Sequence, residues 1–478
     1  MNYPNVKLLI NGEWCTAAGN DVLEVTNPAN GKVIGTVAKA AREDIEQALQ
    51  AAQAGFKQWS IISAFDRAKK MRKAAELVRA RAEDIARLIT LEEGKPLAEA
   101  RTEVNSCADL IEWFADEARR TYGRVIPARQ VGVMSATVKE PVGPAIGFTP
   151  WNFPVAQVTR KLAPALAAGC SIVIKAPEET PASPAALIQC FVDADIVPGA
   201  IALLYGEPAE ISAYAIPHDV IRKVSFTGSV PVGKHLAAMA SSHMKRITME
   251  LGGHGPVIIC DDADLQSAAA ALSMAKFRNA GQVCVAPTRF MVDERVYEEF
   301  IDLFVQKAQA LKVGDGLDAG TTMGPLINER RRASVERLID EAVDGGALVR
   351  TGGSRIGGDG FFFEPTVLAD VTPDMSVMNE EPFGPIALFM PYKNLDHALA
   401  EANRLPFGLA AYVWTQDAKK ASALSRGIEA GMVTINHLGI ALPETPYGGI
   451  RESGYGSEGG IEAVEAYLNT KFVSHLSE

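Results

Sequence analysis

A chain of 478 residues, 47% hydrophobic and 22% charged, can bury a large core divided among about two to four domains. Its net charge of −11 argues against a nucleic-acid or anionic-membrane surface, because either would favour clustered Lys and Arg. Small molecules are therefore the expected partners, with no nucleic acid and no membrane among them.

Residues 8–37 are short apolar runs broken by Asn11-Gly12, Asn27-Pro28 and Asn30-Gly31, which read as turns between short strands. Residues 42–59, 66–90 and 97–122 carry apolar side chains at three- and four-residue spacing, predicting three amphipathic helices. Gly94-Lys95-Pro96 separates the last two, and Lys95 between these helix breakers reads as a solvated loop rather than a phosphate ligand. Residues 123–140, rich in Val and poor in helix signals, read as an excursion strand.

A strand–helix–strand rhythm follows: strands at 145–148 and 171–174 around a helix at 155–168. Next come a helix at 184–193 with Ser183 as N-cap, a strand at 200–205, and a strand at 223–226 feeding a helix from Val232. The rhythm restarts near Gly252, with strands at 257–260 and 289–292 and helices at 265–280 and 296–311. The glycines between 352 and 360 read as a surface loop. Gly228-Ser229-Val230-Pro231-Val232-Gly233-Lys234 has phosphate-loop spacing, but His235 stands where a triphosphatase needs Ser or Thr for magnesium. What remains is a strand entering a helix N-terminus through Gly and Ser, a generic site for pyrophosphate.

Residues 1–10 lack a basic segment followed by an apolar run and a small-residue cleavage site, so a cytoplasmic location is expected. Six cysteines without CxxC pairs and seven histidines without an HxxxH pair point to free thiols and no metal.

Three stretches carry chemistry. Ala280-Gly281-Gln282-Val283-Cys284-Val285-Ala286 presents a thiol on small, loop-forming residues, making Cys284 the candidate nucleophile. Glu250, before Leu251-Gly252-Gly253-His254, is the candidate base. Phe148-Thr149-Pro150-Trp151-Asn152-Phe153-Pro154 holds the Asn152 amide between two prolines, placed to donate to an oxyanion. A thiolase-like or amidase-like acyltransferase would also use a thiol and an acid, but needs no cofactor stretch such as residues 226–229.

In order and spacing these motifs resemble the aldehyde dehydrogenase superfamily over essentially the whole chain. The resemblance implies an α/β fold of two doubly wound Rossmann-like domains plus a small strand-rich oligomerisation element. It assigns 1–122 and 142–251 to NAD binding, 252–452 to catalysis, and 123–141 with 453–478 to joining subunits into a homodimer or homotetramer. It makes Cys284 the attacking thiol, Glu250 the activator of water and Asn152 part of the oxyanion hole. Gly228 and Ser229 would lie under the dinucleotide, Glu381 would hold the nicotinamide ribose, and Phe383 would flank the ring. Lys175 and Glu178 would meet the adenosine ribose, where a carboxylate repels a 2′-phosphate and favours NAD, with NADP possible. Phe148, Trp151, Gly206, Phe226 and Leu251 complete the expected cofactor set.

Arg160 and Arg278, with Gln157 near the first, match positions that hold the substrate carboxylate in succinate-semialdehyde dehydrogenases. The wording around Glu112-Trp113-Phe114 and His243-Met244-Lys245-Arg246 is closer to 2-oxoglutarate-semialdehyde dehydrogenases. The implied reaction is oxidation of 2-oxoglutarate semialdehyde to 2-oxoglutarate, with succinate semialdehyde or a broad aldehyde range as alternatives.

Overall fold

In the computed structural model residues 3–477 are described; Met1 and Asn2, and Glu478 of the expected oligomerisation tail, lie outside them. Ala145–Phe148, Ile172–Lys175 and Ile201–Leu204 are four-residue strands buried along their whole length, as in a sheet covered by helices on both faces. With Lys223–Thr227 and Arg246–Glu250 they pair in parallel, in the spatial order 201–204, 172–175, 145–148, 223–227, 246–250. An antiparallel hairpin, Leu8–Ile10 and Glu13–Cys15, extends one edge, and Gly454–Tyr455 extends the other. Chain order reverses between Ala145–Phe148 and Lys223–Thr227, so the crevice outside their carboxyl ends is a topological switch point, the usual ligand site of such sheets.

Residues 251–254 carry the chain into a second sheet of seven strands: Leu348–Thr351, Thr366–Ala369, Ile386–Tyr392, Pro287–Asp293, Gly255–Ile259, Ala410–Trp414 and Met432–Ile435. All pair in parallel except the first, which is antiparallel to its neighbour. Each sheet has its own apolar core. The expected α/β architecture, two Rossmann-like units and a small strand element, is present.

That element is a three-stranded antiparallel sheet in which Val133–Pro141 lies between Arg124–Ile126 and Leu468–Leu476. The excursion and the tail therefore pair first with each other, in one chain. They still expose Val125, Met134, Val138, Phe472 and Leu476. Of the stretch 453–478 the small sheet takes only Leu468–Leu476, because Gly454–Tyr455 joins the first sheet and Ala463, Val464 and Tyr467 pack into the first core.

Several helix boundaries differ from the periodicity reading. The helix expected at 66–90 is two, Ala64–Ala80 and Ala82–Glu93, broken at Arg81, whose backbone leaves helical geometry. The helix expected at 184–193 begins at Ala182, and Ser183 lies inside it, where its N–H donates to buried Glu92. The helix expected from Val232 starts at Val230, with Ser229 at its N-cap. Among the described residues no helix is long and apolar enough to cross a membrane.

Candidate active site

Helix Leu265–Phe277, capped by the Asp264 carboxylate on the Ser267 N–H, stops short of the expected 280. Asn279, Ala280 and Gly281 all turn left-handed, with φ of 49°, 51° and 73°. For alanine that conformation is strained, so surrounding contacts must impose it. Asn279 Nδ2 donates to the Asn152 carbonyl at 2.9 Å, and the Asn279 N–H donates to Glu99 at 2.9 Å. Gly281 passes so near Gly384 that a Cβ would stand 2.1 Å from its carbonyl oxygen. This turn delivers Cys284, just before strand Pro287–Asp293, into a cavity of about 590 Å³ between the two sheets.

Asn152, Glu250 and Cys284 all line that cavity. Burial pushes the Cys284 thiol up to about 11; a contact with the Tyr447 hydroxyl at 3.4 Å pulls the other way, while Glu381 and Glu250 add to the rise. Glu250 ends strand Arg246–Glu250 and is 3% exposed, yet neither carboxylate oxygen has a protein hydrogen-bond partner. Burial first, and the charge of Glu458 second, hold its carboxyl well above the usual range. An unpaired buried carboxyl facing a cavity is suited to taking a proton from a thiol or a water.

Asn152 Nδ2 donates to the Gln282 carbonyl at 3.0 Å, which ties the amide to the loop that carries Cys284. An amide carries two N–H bonds, so a second donor remains for an oxyanion. The Asn152 carbonyl accepts from Lys95 Nζ at 2.7 Å, and Lys95 also pairs with Glu103 at 2.7 Å. The reading of Lys95 as a solvated loop is thus corrected: its side chain is wholly buried and anchors the oxyanion-side loop. Glu103 repays the cost of burying that cation and also accepts the Val155 and Ala156 N–H groups at the start of helix Pro154–Ala168.

Sequence reasoning also passed over Lys161 and Glu458, which pair at 2.6 Å in the core behind Glu250. Glu458 further accepts from Ser225 Oγ at 2.8 Å. Nearly three hundred residues separate the partners, so no local pattern announces them.

Of the expected cofactor residues, Trp151, Gly228, Ser229, Leu251, Glu381 and Phe383 line the cavity. Trp151 and Phe383 meet edge to face at 5.7 Å, and Phe383 is held at φ 42°. A Cβ on Gly252 would fall 2.3 Å from Glu381 Oε2, so glycine is what admits this carboxyl; burial pushes it up to about 7. Gly228 likewise leaves no room for a Cβ above the Phe226 ring. Helix Val230–Ser242 begins at this wall without a side-chain cap, leaving N–H groups for an anion. These features fit a dinucleotide.

Lys175, Glu178 and Gly206 form a separate cluster at the carboxyl ends of neighbouring strands. Lys175 pairs with Glu178 at 2.5 Å, and Glu178 accepts the Gly206 N–H at 3.0 Å. Phe148 and Phe226 are buried and do not line the cavity. Arg330 and Arg331, at the start of helix Glu329–Asp344, line it without having been singled out.

Gln157 lines the cavity with its Oε1 unpartnered. Arg160 and Arg278 stand outside the lining. Arg160 is 8% exposed, donates to the Glu458 and Ala441 carbonyls at 3.3 Å, and lies over the Tyr447 ring at 4.1 Å. Arg278 is exposed and lies over the Phe153 ring at 5.3 Å. All six cysteines are free thiols. Among the described residues no group of His, Cys, Asp and Glu is placed to hold a metal.

The model of the aldehyde dehydrogenase family matches residues 14–473. A 4-(hydroxymethyl)benzenesulfonate dehydrogenase of Comamonas testosteroni is 49% identical over 98% of both chains. The NADP(+) succinate-semialdehyde dehydrogenase of Escherichia coli strain K12 is 41% identical over 97% of this chain and 96% of its own. The crystal structure of a succinate-semialdehyde dehydrogenase from Burkholderia pseudomallei superposes with a TM-score of 0.97 at 40% identity, covering 99% of this chain and 98% of that one.

Proposed function

We propose that this chain, which belongs to the aldehyde dehydrogenase family and is an NAD(P)-dependent dehydrogenase, oxidises a short aldehyde bearing a distal carboxylate. Within that class 2-oxoglutarate semialdehyde stands first and succinate semialdehyde second. The observation that carries this reading is Arg160: a buried guanidinium, one aromatic ring away from Cys284, with no carboxylate paired to it among the described residues. A buried cation without an anion is costly, and a substrate carboxylate would relieve it. The second reading is an aromatic aldehyde carrying a sulfonate, the oxidised form of the hydroxymethyl compound in the name of the 49% identical relative, and it uses the same cation.

In the proposed reaction the Cys284 thiol gives up its proton to solvent water, and Sγ attacks the aldehyde carbon. The oxyanion then accepts from the Asn152 amide and the Cys284 backbone N–H. Gly228, Ser229, Glu381 and Phe383 would hold the nicotinamide end of the dinucleotide, which when bound would supply the acceptor for the hydride that the thiohemiacetal loses as it becomes a thioester. Glu250 then removes a proton from water, whose oxygen attacks the thioester carbonyl; Cys284 leaves as thiolate and the acid departs. In this scheme 1–122 with 142–251 holds the dinucleotide and 252–452 supplies the thiol. The Lys175–Glu178 pair meets the adenosine ribose with a carboxylate, favouring NAD over NADP. The free thiols suit a reducing compartment, the cytoplasm.

The test is a kcat/KM comparison of both semialdehydes and a sulfonated benzaldehyde against hexanal and benzaldehyde, repeated on Arg160→Ala and Arg278→Ala. Anionic aldehydes should lead by about 100-fold, and Arg160→Ala should remove most of that lead. Preference for uncharged aldehydes, or an unchanged lead in both variants, would end the reading.

The small sheet with its exposed Val125, Met134, Val138 and Phe472 is the proposed subunit-joining surface of a homodimer or homotetramer. Removing 468–478 strips one neighbour from Val133–Pro141 and should give smaller or insoluble species on sedimentation. An unchanged size would refute it.

A further inference from the structure

We propose that Tyr447 is a further catalytic residue of this site, its hydroxyl donating a hydrogen bond to Cys284 Sγ and stabilising the thiolate that attacks. The proposal rests on the reading of Cys284 as nucleophile. The thiol emerges among Val283, Val285 and Ala286, and the Tyr447 hydroxyl, 3.4 Å away, is its polar side-chain contact. Neither oxygen of Glu250 makes a hydrogen bond, so in this arrangement Glu250 does not touch the sulfur. Once its proton leaves, the sulfur has this phenol and the Val285 N–H to meet its charge.

Both the main chain and the ring of Tyr447 are held in place. Tyr447 N–H donates to Ser457 Oγ at 3.0 Å, and Ser457 Oγ in turn donates to the Tyr447 carbonyl at 3.2 Å. The Arg160 guanidinium lies over the ring at 4.1 Å, itself fixed by the Glu458 and Ala441 carbonyls. A cation on the ring face draws electron density from the phenol and strengthens the O–H as a donor.

Which atom donates is set by the groups around the pair. Glu250 from strand Arg246–Glu250 and Glu381 from the 379–385 loop face the thiol and oppose its ionisation, and Tyr412 from strand Ala410–Trp414 stands nearby. Burial and the neighbouring sulfur hold the Tyr447 phenol well above its usual range. The thiol therefore ionises first, and the phenol remains protonated to donate.

The test uses full-length protein without aldehyde or cofactor. The rate of Cys284 alkylation by iodoacetamide is followed against pH in wild type and Tyr447→Phe, with thiolate ultraviolet absorbance as a second readout. Phenylalanine keeps the ring beneath Arg160 and removes only the hydroxyl. A hydrogen bond to an anion should move the ionisation about 10-fold, so the variant should alkylate about 10-fold more slowly below the midpoint and at least as fast on the alkaline plateau. An unmoved or lowered midpoint would overturn the proposal. Should Tyr447→Phe fold poorly, 3-fluorotyrosine incorporated throughout serves instead: its more acidic phenol is the better donor and must lower the midpoint, and no shift would likewise overturn the proposal. Alkylation needs no substrate, so an aldehyde panel that fails leaves this result to be judged by itself.

Discussion

Cys284→Ala should lower the turnover of any aldehyde by about three orders of magnitude or more while NAD binding stays within a few-fold of wild type. The thiol proposed as nucleophile follows the left-handed turn 279–281, where Asn152 and Glu99 hold the loop. The residues proposed to hold the cofactor belong to other segments: Gly228 and Ser229 follow strand Lys223–Thr227, and Glu381 lies against Gly252. Alanine in a part-buried loop removes little packing, so thermal unfolding should change slightly. Steady-state NADH formation and fluorescence titration with NAD check the two halves. Residual turnover above a few per cent would mean that another group attacks.

Glu250→Gln should separate the two chemical steps. A first-turnover burst of NADH should survive, because hydride leaves before water attacks, whereas steady-state turnover should fall by about 10²- to 10⁴-fold as acyl-enzyme accumulates. The substitution keeps the volume of a side chain whose two oxygens already lack partners, so the fold loses little. The pH dependence carries the sign of the shift. Burial and Glu458 raise the Glu250 carboxyl well above its usual range, so its proton is lost only as pH climbs, and the working base appears with it. Wild-type kcat limited by deacylation should therefore rise with pH through that ionisation, and the glutamine variant should lose the rise. Stopped-flow traces across pH measure both. Equal loss of burst and steady state would instead place Glu250 in the activation of the thiol.

Much of the site was legible because its residues sit on loops that punctuate strong periodic patterns. The run after strand Ala145–Phe148, the Gly228-Ser229 turn and the 379–385 loop each follow or precede a recognisable apolar strand, so their place at sheet ends could be read. Helix 265–280 was drawn too long for a local reason: Asn279 and Ala280 have ordinary helix-compatible side chains, and what bends them is Asn152 and Glu99 from other parts of the chain. The break at Arg81 is similar, a change of direction that amphipathic spacing does not register.

By itself the sequence determined the α/β rhythm, the family, and the three groups Cys284, Glu250 and Asn152 that line one cavity, because each rests on a local motif or a hydrophobic period. Tertiary structure alone decided what those groups touch. Lys95 read as a solvated loop and is a wholly buried cation, since its surroundings come from Glu103, Phe153 and the Asn152 carbonyl. Arg160 reads as a substrate ligand, and only the fold shows that the Glu458 and Ala441 carbonyls and the Tyr447 ring hold it in place. The excursion and the tail read as one subunit-joining element, and only the fold shows that they pair strand to strand within one chain. In each case burial and charge pairing are sums over segments distant in the chain, and such sums exist only once the chain has folded.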